Sequence, residues 1–152
     1  LFGAVLNGWN GISVRRGEAD LEAFRKAQQM LSEGNILIIS PEGTRSEHGG
    51  LGPGHAGVVL LAVRSGAPIQ AIGLYQHHGF WNRLYRGFKR VPLEFSIGKP
   101  FKLELNGAAL SRDVRQQATD EIMYKLAEVL PPEYRGVYSD LSKATQQYIH
   151  PL

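Results

Sequence analysis

Six residues, Asn35-Ile36-Leu37-Ile38-Ile39-Ser40, constrain this chain more than any other stretch. They form a short, unbroken apolar run, the pattern expected of a strand covered on both faces. Gly34 precedes the run, and a polar, glycine-rich loop from Pro41 to Gly54 follows it. A chain with such a strand needs flanking layers, which points to an α/β arrangement.

The neighbouring segments supply them. Residues 17–33 read as an amphipathic helix, with Leu21, Phe24, Ala27 and Leu31 near helical spacing and Gly34 as its stop. Ala56–Ser65 reads as a helix apolar enough to be buried, closed by Gly66. Pro68–Tyr75 reads as the next strand, so a right-handed crossover and parallel pairing with 35–40 are expected. Val91–Ile97 and Phe101–Leu105 read as two further strands. Ser111 is placed to cap a helix from Arg112 to Leu130, with Val114, Ala118, Ile122 and Leu126 as its core stripe. Pro131-Pro132 ends that helix, and a short helix is expected over Asp140–Tyr148.

Composition narrows the functions. At 152 residues and 43% hydrophobic, the chain can bury one core. It has no Cys, which excludes thiol catalysis, disulfides, cysteine zinc sites and iron–sulfur clusters. Its longest clean apolar run, Ala56 to Val63, is far short of the roughly 20 residues that span a bilayer. Leu1 opens the chain in mid-pattern, without a capping or turn signal, and reads as an internal start.

The net charge of +3 is unevenly placed. Residues 77–102 carry Arg83, Arg86, Lys89, Arg90, Lys99 and Lys102 against Glu94, while the rest of the chain is nearly balanced. Between 77 and 90 these cations interleave with Phe80, Trp81, Tyr85 and Phe88. That mixture suits an anionic bilayer interface, where rings sit at headgroup level. Single-stranded nucleic acid, and plain packing of the rings onto the core, are the competing readings.

The loop after the apolar run carries the chemistry. Ligands of open α/β sheets bind beyond the carboxyl ends of strands, where Ser40-Pro41-Glu42-Gly43-Thr44-Arg45-Ser46 stands. Gly43 permits close backbone approach, Arg45 offers a planar fork of donors to a phosphate, and Glu42 can pin that fork or other loop donors. Gly52-Pro53-Gly54-His55-Ala56-Gly57 matches G-x-G-x-x-G in letters only. Its first glycine lies twelve positions after Ser40, and no acidic residue occurs between Glu47 and Glu94. A dinucleotide site is therefore discarded. The histidines carry no metal signature: His48 and His55 belong to the loop region, and adjacent His77 and His78 lack carboxylate neighbours.

Pro41-Glu42-Gly43-Thr44-Arg45-Ser46 resembles, over all six residues, the P-E-G-T-R-S signature of glycerolipid acyltransferases of the lysophosphatidate type. Upstream, Gly11-Ile12-Ser13-Val14-Arg15-Arg16 resembles that family's G-x-I-x-V-x-R block, with its glycine one position closer to the arginine. Downstream, Gly66-Ala67-Pro68-Ile69 with Ala71-Ile72-Gly73 resembles its fourth block, and Leu130–Asp140 resembles the end of such domains.

The resemblance implies a mixed, largely parallel central sheet flanked by helices, lacking its N-terminal part. It implies a single truncated domain over 1–152, with motif blocks in 1–106 and a helical part in 107–152. Arg16 and Arg45 would hold the substrate phosphate; Glu42, Gly43 and Thr44 would shape the glycerolipid pocket; Pro68 would support the acyl-donor side. Trp81, Arg83, Arg86, Lys89 and Arg90 would face the membrane, on its cytoplasmic side. The implied partners are acyl-CoA or acyl carrier protein as donor, a lysophospholipid and an anionic membrane, with no nucleic acid and no further cofactor. The family's H-x-x-x-x-D pair is absent, because no internal histidine has Asp five positions on, and it is expected upstream of Leu1. A phospholipid-binding domain without catalysis is the alternative.

Overall fold

The structure, a computed structural model, describes residues 11–12, 20–43, 49–75 and 94–152. It divides into two compact units, Leu1–Ile39 and Ser40–Leu152.

In the first unit, helix α1 (Leu21–Ser32) begins where the Asp20 carboxylate accepts the Ala23 N–H at 3.0 Å. It ends in a Schellman motif. Gly34 takes φ +82°, its N–H donates to the Leu31 carbonyl, and the Asn35 N–H donates to that of Met30. The helix and its stop follow the sequence expectation. Residues 35–40 do not. They form no strand, and Ile36 and Ile38 are each 89% exposed. A strand buried on both faces needs a hydrogen-bonded neighbour and two covering layers. Among the described residues, no strand pairs with this run.

The second unit is built around one central helix. Helix α2 (Gly57–Ser65) comes first and buries Val59, Leu61 and Ala62. Gly66, at φ +64°, closes it as a left-handed cap. Strand β1 (Ile72–Tyr75) follows and pairs antiparallel with β2 (Glu94–Ile97), Ile72 opposite Ile97 and Leu74 opposite Phe95. Strand β3 (Phe101–Leu103) pairs antiparallel with β4 (Ile149–Pro151). An isolated bridge between Ile69 and Phe101 links the segment before β1 to β3. The class is thus mixed α/β, and the expected parallel pair is not formed among the described strands.

Helix α3 (Arg112–Glu128) starts as its sequence predicts, with the Ser111 hydroxyl accepting the Val114 N–H at 3.2 Å. It separates two apolar clusters. Ala118 and Ile122 join Val59, Ala62, Phe101, Leu103, Tyr148 and Ile149. Met123 and Ala127 join Leu51, Leu130 and Tyr138. Because both clusters lean on it, α3 is buried over more of its circumference than one stripe, and Thr119 and Glu121 are buried with it.

The helix expected over Asp140–Tyr148 is replaced by one 3₁₀ turn (Leu141–Lys143) and a non-helical stretch that leads into β4. The Asp140 carboxylate caps the turn, accepting the Ser142 hydroxyl at 2.6 Å and its N–H at 3.2 Å. Those bonds, the hydroxyl's first, hold the Asp140 carboxyl below its ordinary pKa. Beyond the turn, the Glu121 carboxylate accepts the Thr145 hydroxyl and the N–H groups of Gln147 and Tyr148 at 2.7–2.9 Å. Those two N–H groups are then not available to a helix, and the chain runs extended into β4.

One face of the β1–β2 ribbon leaves Ile72, Leu74, Phe95 and Ile97 exposed. On the other, Gly73 lies so close to Leu130 that a Cβ there would stand 2.7 Å from its Cδ2. Among the described residues, no helix is long and apolar enough to cross a membrane.

Candidate functional site

The site suggested by the sequence is the loop between Ser40 and His55, and the structure describes both of its limbs. Ser40-Pro41-Glu42-Gly43 is a tight turn in which the Gly43 N–H donates to the Ser40 carbonyl at 3.1 Å. The residue types fit: serine opens such turns, proline presets the second position and glycine closes them. Gly43 takes φ +65° and lies under the His55 imidazole, where a Cβ would stand 2.9 Å from the ring's Cδ2. A side chain at 43 is thus opposed both by the backbone conformation and by the ring.

Two bonds close the loop. The His55 N–H donates to the Pro41 carbonyl at 2.8 Å. The Glu42 carboxylate accepts the Gly52 N–H at 2.7 Å, a charge-assisted bond across ten residues. Glu42 thus pins a donor of its own loop. The return limb is itself held by the C-terminal segment. The Leu51 N–H donates to the Tyr134 carbonyl and the Leu51 carbonyl accepts the Val137 N–H, each at 3.0 Å. The Gly54 N–H donates to the Tyr138 hydroxyl at 3.2 Å, and that hydroxyl donates to Asp120 at 3.1 Å. Gly54 also packs directly on Met123 and Thr119, whose atoms would lie within 2.9 Å of any added Cβ.

Sequence reasoning did not single out Tyr138. Burial pushes its phenol pKa up to about 12, with the Gly54 bond opposing that shift and Asp120 adding to it. Its only sequence signal is its place within Leu130–Asp140, the stretch resembling the end of acyltransferase domains.

Of the other expected site residues, Pro68 is exposed and precedes Ile69, whose N–H and carbonyl both pair with Phe101. Arg16, Thr44, Arg45, Trp81, Arg83, Arg86, Lys89 and Arg90 lie outside the described residues, as do His48, His77 and His78. His55 is solvent-exposed. No group of three metal-ligating side chains occurs among the described residues.

An open cleft of ≈ 570 Å³ lies beside α3, lined by Asp113, Gln116, Asp120, Tyr124, Tyr138 and Lys143 among others. It shares Asp120 and Tyr138 with the scaffold behind the loop.

Residues 1–75, which contain the whole loop, match the acyltransferase family. A 1-acyl-sn-glycerol-3-phosphate acyltransferase of Pseudomonas aeruginosa is 27% identical over 139 residues, covering 88% of this chain and 53% of that protein. An enzyme of the same name from Limnanthes douglasii is 36% identical over 87 residues, covering 57% of this chain and 31% of its own length. The chain thus spans about half of the bacterial relative and a third of the plant one. No solved structure matches. With the complete P-E-G-T-R-S signature inside the matched region, the family match and these relatives together support the glycerolipid acyltransferase family, of the lysophosphatidate acyltransferase type.

Proposed function

We propose that the protein is an O-acyltransferase that moves a fatty acyl group from acyl-CoA or acyl carrier protein to a lysophospholipid such as 1-acyl-glycerol-3-phosphate. The observation that carries this reading is the complete signature hexapeptide inside the matched residues 1–75. The closed loop around it supports the reading, because a phosphate clamp needs a backbone fixed before the ligand arrives.

In the proposed mechanism Arg16 and Arg45 hold the acceptor phosphate by charge-assisted bonds. Glu42 and Gly43 keep the loop in shape, with Thr44 beside them at the pocket, and Pro68 supports the donor side. Holding the phosphate places the acceptor hydroxyl against the thioester carbonyl, and such positioning supplies a large share of the barrier reduction. A histidine base takes the hydroxyl proton, the oxygen forms the new ester bond, and the thiol leaves with a proton. The H-x-x-x-x-D pair for that step is absent from these 152 residues, and we place it upstream of them. The donor is a substrate, and no further cofactor is required. We also infer a largely parallel central sheet.

A phosphate site without an acid–base pair would instead make a phospholipid-binding domain, and acyl transfer by the full-length protein separates the two. Arg45→Ala is expected to raise the acceptor KM by about 10-fold to 100-fold while leaving the donor KM within about twofold. Equal effects on both would remove the phosphate role.

The basic and aromatic segment 77–90 would seat the protein on the cytoplasmic face of an anionic membrane. Changing Arg83, Arg86, Lys89 and Arg90 together to Ala should sharply weaken sedimentation with phosphatidylglycerol vesicles at low salt. Unchanged partitioning would refute the assignment.

A further inference from the structure

We propose that the Tyr138 hydroxyl is a positioning group for the 40–55 loop, setting the geometry in which that loop holds a phosphate-bearing acceptor. The acceptor role rests on the acyltransferase reading above; the clamp itself rests on geometry alone.

Tyr138 is only 5% exposed, and its ring meets that of Tyr124 edge to face at 5.1 Å. Phenylalanine would serve that packing as well, and without a polar group to desolvate. The hydroxyl is accommodated by two bonds in series: it accepts from Gly54 and donates to Asp120. Asp120 is itself steadied by the Gln116 amide at 3.2 Å. A phenol with its pKa near 12 keeps its proton at any physiological pH, so it serves as donor to Asp120 throughout. The two bonds thus tie α3 to one backbone amide of the signature loop, through a tyrosine 84 residues from that amide in sequence.

That amide is well placed for leverage. Gly54 immediately precedes His55, whose N–H closes the loop on Pro41. Two residues earlier, Gly52 donates to Glu42 of the signature. Gly54 has no side chain to wedge it, and its backbone seats directly on Met123 and Thr119. A loop held this way has one defined distance between its limbs, and Glu42 lies at the base of one of them. Purely structural roles are filled by the packing of the ring; the hydroxyl adds register.

Tyr138→Phe in the full-length protein tests this. Hydrogen exchange at the Gly54 amide should accelerate about fivefold or more while the amides of α3 keep their protection. The acceptor KM should rise about fivefold, with kcat and the donor KM within about twofold. Asp120→Ala, which leaves the phenol ring in place, should reproduce the split in smaller degree. Unchanged exchange at Gly54 would overturn the clamp. Faster exchange with unchanged kinetics, or with both KM values rising equally, would overturn the positioning role and leave a structural bond. A wild-type protein inactive on every lysophospholipid would overturn the acyltransferase reading and the acceptor role with it; Gly54 exchange would still decide whether the clamp exists.

Discussion

Replacing Gly136 by alanine is expected to destabilise the protein by about 3 to 5 kcal/mol, the largest effect of any single methyl group here. Gly136 takes φ +51°, a conformation that costs an L-residue about 1 to 2 kcal/mol. A Cβ there would overlap the Leu51 carbonyl and stand 2.6 Å from the Leu51 nitrogen. Both neighbours are backbone, so neither can rotate away. Relief requires parting the two segments, which breaks the Leu51 bonds to Tyr134 and Val137. Gly107 supplies the control. It takes φ +83° with nothing within 4 Å of its would-be Cβ, so Gly107→Ala should cost only about 1 to 2 kcal/mol. Urea unfolding of both variants at unchanged m checks the difference. Equal midpoints would show that the contact between Leu51 and Gly136 is not tight.

Glu121→Ala should cost about 3 kcal/mol, for a different reason. The side chain is 1% exposed, and its two oxygens accept three bonds from the segment leading into β4. Truncation leaves the Gln147 and Tyr148 N–H groups without their acceptor beside a new void, and each unsatisfied donor carries a penalty of about 1 to 3 kcal/mol. Glu121→Gln keeps the shape but turns an amide NH₂ toward at least one donor, so about 2 kcal/mol is expected. Amide exchange in β4 should accelerate more than in α1 for either variant. Uniform acceleration, or none, would contradict a local latch.

These two residues also mark where the sequence was hard to read. Helices α1, α2 and α3 were legible because their signals are local: Ser111 caps, while Gly34 and Gly66 stop. The strand β4 was not, because the segment leading into it is held by a carboxylate 24 to 27 residues earlier. An apolar run such as 35–40 declares a need for burial but not the partner that meets it, and here its isoleucines remain exposed. The site divides the same way. Glu42, Gly43 and their turn follow from neighbouring residues, and the Glu42 carboxylate accepts the Gly52 N–H of the same loop. Tyr138 reaches the same loop through the fold alone, and nothing adjacent to it in sequence announces the contact.

The most direct test of the central claim is acyl transfer by the full-length protein to 1-acyl-glycerol-3-phosphate, compared with the same lipid lacking its phosphate. If the signature loop is a phosphate clamp, kcat/KM should favour the phosphorylated acceptor by about 100-fold or more, since the unphosphorylated lipid offers the clamp no anion to pair with. Comparable transfer to both acceptors, or transfer to neither, would contradict the account.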